Sequence, residues 1–514
     1  MKVMTVQETA RLLEVDERTV YRLIGRGELP AFKVGRQWRL RLSDIEGWIE
    51  GQLRLREGAA TYQAGQLRLF EDSAAAKATT VKRKSGFKDS AFSENNGLPV
   101  HRWVPWIAGF SAGFVGDVLD RYSDGAGTVL DPFAGVGTTL VTAMLRGRDV
   151  CGFEINPYAA EACELKLAID KIPLGELADS VEDFRLRVTE AVQSGRRPLS
   201  RAPEGFVTRA RFFSPEVERK VLLVRDYVSS LADVWVRNCF RLALASELVG
   251  FSNYSYEPSL CRRATAGKSA VADAPVVDMV VAKLRQMLED IRRTRAGVER
   301  AGGWPERRFY RGDFFQKEQE LAGGSVQLVI TSPPYLNNYH YIRNSRPQVY
   351  WLGLAQSPGD LKGIEQDSFG KYWQTVRGGE PVALGFQMRD LQEAIDTLRE
   401  RNVEKGQYGG RGWANYAATY FNDSHRFAGA LARLLRPAGR AVVVLGNSIL
   451  QGVEFKTDVL FARICEIAGL RVEDVTLLRE KRTGTSIVKS SVRRDDDLQR
   501  TALYESAVIL SKPA

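Results

Sequence analysis

The chain has 514 residues, of which 44% are hydrophobic and 26% are charged, and its formal net charge is +10. This composition excludes a largely disordered or collagen-like chain, and it provides enough apolar material for at least one large core. At about 100–200 residues per domain the length predicts two to four domains, and the basic excess is compatible with a nucleic-acid partner.

Residues 1–50 have the pattern of a small unit of short helices and a hairpin. Thr5 can cap a first helix, because Glu8 stands at the capping-box position three residues later. The pattern then predicts a second helix over 17–24 that Asp16 caps, β-type runs at 31–34 and 37–42, and a third helix that begins at Ser43. This order of elements is that of a winged helix-turn-helix.

The same segment resembles the small helix-turn-helix domains of phage excisionases and MerR-type regulators. The resemblance implies that the second helix enters the major groove of DNA and that the wing contacts the backbone or the minor groove. The residues that it places against DNA are Arg18, Thr19, Tyr21 and Arg22 on the helix and Lys33, Arg36 and Arg39 on the wing. Seven basic residues against one acid between Arg18 and Arg41 agree with this interpretation; a solvated basic face on a protein-docking module is the alternative.

The rest of the chain has the pattern of an α/β domain that a helical segment interrupts. Residues 51–97 are Ala-rich and polar, which is typical of a linker. From 98 to 170, a strand, a Gly-rich turn, a helix and a second strand follow one another, as at the start of a doubly wound nucleotide-binding domain. Residues 171–305 are mostly helical and are interpreted as an insertion that contributes to target recognition, and strand-like runs resume within 306–514.

Cysteines and histidines are few and scattered. The five cysteines form no CxxC pair and there are only three histidines, so we expect no metal site and a reducing, cytoplasmic compartment. No run of about 18 apolar residues predicts a membrane-spanning helix.

The first motif that carries chemistry is VLDPFAGVGTT, residues 129–139. A strand ends at Asp131, and Gly135 and Gly137 remove side chains where a ligand would approach the backbone before a helix N-terminus. Glu154 ends the next strand, where an acid can accept hydrogen bonds from both hydroxyls of a ribose. A dinucleotide enzyme would have a third glycine where this chain has Leu140, which disfavours NAD and FAD.

The second motif is TSPPY, residues 331–335, at the end of another predicted strand. Two prolines lock an extended backbone and donate no hydrogen bonds, so carbonyl acceptors are left facing a cleft. Ser332 before the prolines and Tyr335 after them add an acceptor and a stacking surface. This arrangement suits an exocyclic amine on a planar base.

Together the two motifs resemble those of the amino-methylating DNA methyltransferases, which modify cytosine N4 or adenine N6 with S-adenosylmethionine. FEINP (153–157), RGDFF (311–315) and GFSAGF (109–114) are similar to further motifs of that family. The resemblance implies a Rossmann-like class I methyltransferase domain with S-adenosyl-L-methionine as cofactor. The cofactor-binding residues that it implies are Phe110, Ser111, Asp131, Pro132, Phe133, Gly135, Gly137, Thr138, Glu154 and Asp313, and the catalytic residues are Ser332, Pro333, Pro334 and Tyr335.

The function that these motifs predict is site-specific methylation of cytosine N4 in double-stranded DNA in a prokaryotic cytoplasm. Within the family, a serine before PPY accompanies cytosine more often than adenine. Adenine N6 methylation, methylation of amines in RNA or protein, and a DNA-binding regulator with an inactive methylase fold are the alternatives. A cognate restriction or defence component is a candidate partner, and no membrane partner is expected. A second basic patch at 283–311, with nine basic residues and four acids, is a candidate surface for phosphates.

Overall fold

The computed structural model describes residues 3–13, 15–25, 29–35, 37–45, 86–88, 90–106, 109–257, 259–336, 341–481 and 503–514. The chain divides into two compact units, Met1–Ser73 and Ala74–Ala514. Within the described ranges, no helix combines the length and the apolar character that crossing a membrane requires.

The smaller unit contains a three-stranded antiparallel sheet and two short helices. Its elements are β1 (Val3–Thr5), the helices Val6–Leu12 and Glu17–Gly25, β2 (Phe32–Val34) and β3 (Gln37–Arg41), with strand order β1-β3-β2. Thr5 and Glu8 form the predicted capping box, and the side chain of Asp16 accepts a hydrogen bond from the backbone of Thr19. β1 was not predicted, and the predicted third helix is described only as far as Ile45.

The larger unit is built on a mixed sheet of seven strands in the order β13-β14-β10-β9-β4-β5-β8. These strands are β4 (Thr128–Asp131), β5 (Val150–Glu154), β8 (Arg307–Arg311), β9 (Val326–Thr331), β10 (Leu435–Gly446), β13 (Arg471–Lys481) and β14 (Leu503–Ser511). Neighbours from β10 to β8 run parallel, whereas β14 is antiparallel to both β10 and β13. Two hairpins stand apart from this sheet, β6 (Tyr254–Tyr256) with β7 (Leu260–Arg262) and β11 (Ser448–Leu450) with β12 (Val453–Phe455).

Helices cover both faces of the sheet, and the strands alternate between the two resulting cores. Val129 packs into one core and Leu130 into the other, and Leu328 and Val329 alternate in the same way. Because successive side chains of a strand point to opposite faces, strands covered on both sides become continuous apolar runs. The described helices of this unit are Ala112–Tyr122, Thr138–Leu145, Pro157–Leu167, Leu174–Gln193, Pro215–Ser230, Val234–Glu247, Val276–Arg300, Phe314–Lys317, Tyr341–Asn344, Arg346–Trp351, Pro358–Asp367, Trp373–Val376, Arg389–Arg399, Gly410–Leu434 and Thr457–Ile467.

Two features of the larger unit differ from the predictions. Residues 90–97, inside the predicted linker 51–97, are folded into this unit: Ala91 forms a β-bridge with Phe110, and the side chain of Asn95 accepts from the backbone of Ala112 at 2.8 Å. Predicted linker residues 51–85 lie outside the described part. The edge strand β13 was not predicted, because its charged residues obscure the alternation typical of a strand.

The long helix Val276–Arg300 is attached to the segment before the first helix of this unit through the buried carboxylate of Asp290. One carboxylate oxygen of Asp290 accepts from the backbone of Val100 and from the indole of Trp103, each at 3.0 Å. The guanidinium of Arg102 pairs with both carboxylate oxygens. Val100 has a φ of 67°, which is unfavourable for a β-branched residue, so this network holds a strained backbone in place.

We expect Asp290→Ala to lower the free energy of unfolding of the larger unit by about 3–5 kcal/mol, because it leaves the buried donors and the Arg102 charge without an acceptor. Urea denaturation followed by circular dichroism measures the change. Glu289→Ala, at the exposed neighbouring position, is the matched control and should change stability by less than about 0.5 kcal/mol. Equal effects of the two substitutions would contradict the role given to Asp290.

Candidate active site

Four polar side chains follow four neighbouring parallel strands. β4 ends at Asp131, β5 ends at Glu154, and Asp313 and Ser332 come directly after β8 and β9. Parallel strands end at the same edge of a sheet, so these four side chains meet there. All four line one cleft.

Most of the predicted site residues lie in this cleft. Its lining includes Phe110, Asp131, Pro132, Phe133, Gly135, Thr138, Glu154, Asp313, Ser332 and Pro334. Ser111, Gly137, Pro333 and Tyr335 are not part of the lining. Ser111 instead caps the helix Ala112–Tyr122, where its hydroxyl accepts from the backbone of Phe114 at 3.0 Å.

Glu154 connects the two loops that border the cleft. One carboxylate oxygen accepts from the backbone of Gly135 and the other from the backbone of Asn156, each at 2.7 Å. Burial raises the pKa of Glu154 to about 7, although both hydrogen bonds favour its charged form. The carboxylate is therefore positioned at the cleft and changes its charge near neutral pH.

Asp131 connects the ends of β4 and β9. Its carboxylate accepts from the hydroxyl of Thr331 at 2.6 Å and from the backbone of Phe133 at 3.1 Å. Burial raises the pKa of Asp131 to about 6. Asp313 accepts from the backbone of Phe315 at 3.2 Å, and burial also raises its pKa.

The two glycines of the first motif have different structural roles. Gly135 lines the cleft with a φ of 53°. Gly137 has a φ of 87°, and a Cβ there would lie 2.8 Å from the Sγ of Cys163, so it allows the loop to approach the helix Pro157–Leu167. Leu140, at the position of the absent third glycine, packs against Gly152 of β5, where a Cβ would clash with it.

The tetrapeptide 332–335 leaves β9 with Ser332 facing the cleft. The hydroxyl of Ser332 donates to the hydroxyl of Tyr335 at 3.3 Å. The ring of Tyr335 packs against Gly446, at the end of β10, where a Cβ would lie 3.2 Å from the ring. Burial raises the pKa of Tyr335 well above its ordinary value, so this phenol stays protonated.

The aromatic walls of the cleft were not assigned from the sequence. Trp106, Phe369 and Tyr372 join the lining, together with Tyr341 from just beyond the tetrapeptide. Phe369 packs edge-on to Phe133, with the ring centroids 5.3 Å apart. The sequence gave a signal for Trp106, through its apolar-aromatic run, and for Tyr341, which closely follows the tetrapeptide; Phe369 and Tyr372 belong to no motif.

The charge of the lining is one-sided. Asp131, Glu154 and Asp313 are its acids, and no Lys or Arg occurs among the described residues that line the cleft. Such a surface favours a cationic ligand that carries hydroxyl or amine donors. It disfavours a ligand that carries phosphates, which basic groups would have to neutralise.

The structure describes only some of the predicted DNA-contacting residues of the smaller unit. Arg18 and Tyr21 are exposed on the helix Glu17–Gly25, and Thr19 is half-buried. Arg39 lies on β3, where its guanidinium donates to the side chain of Gln37 at 2.7 Å. Arg36 and the side chains of Arg22 and Lys33 lie outside the described part of the structure.

The predicted basic patch at 283–311 is largely neutralised within the protein. The pairs are Lys283 with Glu247, Arg285 with Glu182, Arg307 with Asp170, Arg308 with Glu306, and Arg311 with Glu164. Arg295 donates to the carbonyl of Ile169 at 3.0 Å. The interpretation of 283–311 as a candidate surface for phosphates stays a prediction, and most of its basic side chains already have acceptors within the protein.

Comparison with known proteins gives matches to both units. Residues 3–53 match the family model of a helix-turn-helix domain, and residues 80–165 match that of the N6/N4 DNA methylases. Over 49 residues, which are 10% of this chain, the sequence is 43% identical to a candidate DNA-binding protein of Mycobacterium tuberculosis, covering 63% of that protein.

Longer matches extend over most of the chain. The sequence is 21% identical to the Type II methyltransferase M.AvaI of Nostoc sp., covering 76% of this chain and 82% of that protein. It is 22% identical to the Type II methyltransferase M.BsoBI of Geobacillus stearothermophilus, covering 82% and 87%. The larger unit is therefore similar to the N6/N4 DNA methylases at residues 80–165 and to Type II methyltransferases over most of the chain, and residues 3–53 match a helix-turn-helix domain.

Proposed function

We propose that this protein transfers a methyl group from S-adenosylmethionine to the exocyclic N4 amine of cytosine at specific sites in DNA. The observation that carries the proposal is the cleft in which three carboxylates and no described cation lie beside Ser332. S-adenosylmethionine is cationic and carries a ribose and an amino group, and it has no phosphate. The cleft therefore fits this cofactor better than it fits a dinucleotide.

The division of the chain follows from the same proposal. The strand order and the single antiparallel strand β14 support a Rossmann-like class I methyltransferase fold. We assign its halves to residues 98–170 and 306–514, with the helical block 171–305 contributing to target recognition. The hairpin of β2 and β3 is the proposed wing of the N-terminal helix-turn-helix.

Two carboxylates are the proposed contacts to the cofactor, and a third positions the loop beside it. Glu154 would accept from the ribose hydroxyls and Asp313 from the adenine amine, and Asp131 keeps the Gly-rich loop in register with β9. Phe110 and Gly135 would border the methionine moiety. When bound, S-adenosylmethionine supplies an electrophilic methyl group on a sulfonium.

The catalytic role of the protein is to orient and desolvate the attacking amine. The Ser332 hydroxyl and the Pro333 carbonyl are the proposed acceptors of the amine hydrogens, and Pro334 keeps their backbone extended. Tyr335 is the proposed stacking surface for a base that has left the duplex, which requires unstacking. No thiolate takes part in this scheme, and burial raises the pKa of Cys151 to about 12.

We expect Ser332→Ala to lower the rate of methyl transfer by roughly ten-fold or more, because a hydrogen-bond acceptor of the reacting amine is lost. Tritium transfer from labelled S-adenosylmethionine to DNA measures the rate, and nucleoside digestion with mass spectrometry identifies the product as N4-methylcytosine. Ser325→Ala, before the same strand, is the matched control and should keep the native rate. An unchanged rate in Ser332→Ala would contradict the catalytic role of Ser332. N6-methyladenine as the product would show that the target base is adenine and not cytosine.

Cofactor binding should depend on pH through Glu154. Because the pKa of Glu154 in the free protein is raised to about 7, its carboxylate is charged above that pH and loses its charge below it. Affinity for S-adenosylmethionine should therefore be constant above pH 8 and fall by up to about ten-fold per unit below pH 7. Calorimetric titration between pH 6 and about 9 measures it.

Glu154→Gln is the matched control for this prediction, since it keeps the shape of the side chain and removes its titration. Its affinity should be lower than native at high pH, and it should lack the part of the decline below pH 8 that protonation of Glu154 causes. The native protein and the variant share every other titrating group. The difference between their pH profiles of affinity therefore reports on the carboxyl of Glu154 alone. Parallel profiles would contradict the assignment.

The N-terminal unit should contribute to the salt dependence of DNA binding. If Arg18 contacts a phosphate, Arg18→Ala should reduce the slope of log affinity against log salt concentration by about 0.9. Fluorescence anisotropy with a duplex oligonucleotide measures the slope. Arg471→Ala, at an exposed arginine that begins β13, is the control, and equal slopes for both variants would remove Arg18 from the interface.

A further inference from the structure

A second cleft lies beside the first in the larger unit. It is bordered by the hairpin strand β6, by the end of the helix Val234–Glu247 and by residues 341–348. Trp106 and Tyr341 line both clefts. None of the residues 332–335 lines the second cleft, so the proposed methyl transfer does not use it.

The walls of the second cleft are aromatic and held in place. Tyr254 and Tyr256 line it from β6. The hydroxyl of Tyr256 donates to the carbonyl of Asn344 at 2.9 Å, and that of Tyr254 donates to the carbonyl of Ala210 at 3.3 Å. Because these hydroxyls are engaged, the rings are preorganised and can offer flat surfaces at a small entropic cost.

Two buried polar atoms in this lining lack a partner in the protein. The Oγ of Ser255 and the Oε1 of Gln348 make no hydrogen bond, although the residues are only 8% and 5% exposed. The amide nitrogen of Gln348 donates to the hydroxyl of Tyr256 at 3.4 Å, which leaves the carbonyl oxygen for another group. Unpaired buried polar groups are unfavourable, so a ligand that pairs them gains affinity.

The charge of the second cleft is opposite to that of the first. Arg263 is its charged lining residue, and no Asp or Glu occurs among the described residues of the lining. It is therefore a poor match for a cationic cofactor. A flat heterocycle on a phosphate-bearing chain fits better, because aromatic rings stack on any base and the guanidinium attracts a phosphate.

The hydrogen-bonding atoms narrow the class of heterocycle. The Gln348 carbonyl oxygen accepts hydrogen bonds, and the Ser255 hydroxyl can donate one. An exocyclic amine next to an unprotonated ring nitrogen supplies the complementary donor and acceptor. Cytosine and adenine carry this pair of groups on one edge.

The two clefts are separated by a thin wall. Asn156 lines the first cleft and Ser345 the second, and the amide of Asn156 donates to the hydroxyl of Ser345 at 2.8 Å. We propose that the second cleft binds an unstacked cytosine or adenine base, which stacks on Trp106 and the β6 tyrosines and hydrogen-bonds Gln348 and Ser255. This inference rests on the proposed function in taking the base from the DNA substrate; a free nucleoside has the same chemistry.

Photo-crosslinking tests the proposal on the full chain. The probe is a single-stranded oligonucleotide of mixed sequence that contains 5-iodo-2′-deoxycytidine, and mass spectrometry maps the attached peptides. We expect cross-links at Tyr254 or Tyr256, which line the second cleft and not the first. Gln348→Leu should lower their yield by roughly ten-fold, the loss expected for one good base contact.

Controls separate this inference from the proposed function. Gln366→Leu, at an exposed position of the helix Pro358–Asp367, should keep the native yield, and Ser255→Ala is a smaller second change if Gln348→Leu does not fold. Binding of S-adenosylmethionine should remain native in both cleft variants. If free 2′-deoxycytidine lowers the cross-linking yield, a nucleoside also enters the second cleft. If it does not, the cleft binds bases that belong to a DNA strand.

Cross-links confined to other peptides, or an unchanged yield in both Gln348→Leu and Ser255→Ala, would overturn the second cleft as a base site. Methyl transfer by the native protein would leave the proposed function intact in that case. Conversely, the native protein could cross-link at this cleft and neither bind S-adenosylmethionine nor methylate DNA. That result would support the base site and contradict the proposed function.

Discussion

The parallel pairing of β9, β4, β5 and β8 is the constraint on which the site depends. Each of these strands delivers one polar residue to the same edge of the sheet, although Asp131, Glu154, Asp313 and Ser332 are far apart along the chain. The strands are buried on both faces, so a shift of one residue in register would exchange the two cores and move these side chains out of the cleft. The apolar cores therefore stabilise the geometry of the polar site.

Burial gives the acids of this edge their chemical character. Asp131 and Glu154 retain hydrogen bonds that favour their charged forms, but desolvation outweighs them and raises both pKa values toward neutrality. A cationic ligand would shift these carboxyls back to the charged state, which couples proton release to its binding. The second cleft, with Arg263 as its charged residue, has the opposite preference, so two adjacent clefts are suited to different parts of one reaction complex.

The helical block between β5 and β8 contributes to the core and to the second cleft. These strands are neighbours in the sheet, and the block packs into the same core as Val129 and Leu328. Asp290 and Arg295 bind it to the surrounding structure. Its hairpin β6-β7 provides the aromatic wall of the second cleft. The block thus borders the second cleft without contributing a strand to the central sheet.

The sequence by itself determined the chemical groups of the first cleft and the local frame of the N-terminal unit. Capping boxes, Gly-rich turns and the Ser-Pro-Pro-Tyr segment depend on residues within a few positions of one another. Because short-range backbone sterics and hydrogen bonds govern such segments, their patterns can be recognised in the sequence. Only the tertiary structure decided that Phe369 and Tyr372 join Glu154, that the ring of Tyr335 packs on Gly446, and that Ser255 and Gln348 face a common cleft. These contacts join segments far apart in the chain, and they follow from strand order and side-chain packing, which no local pattern specifies.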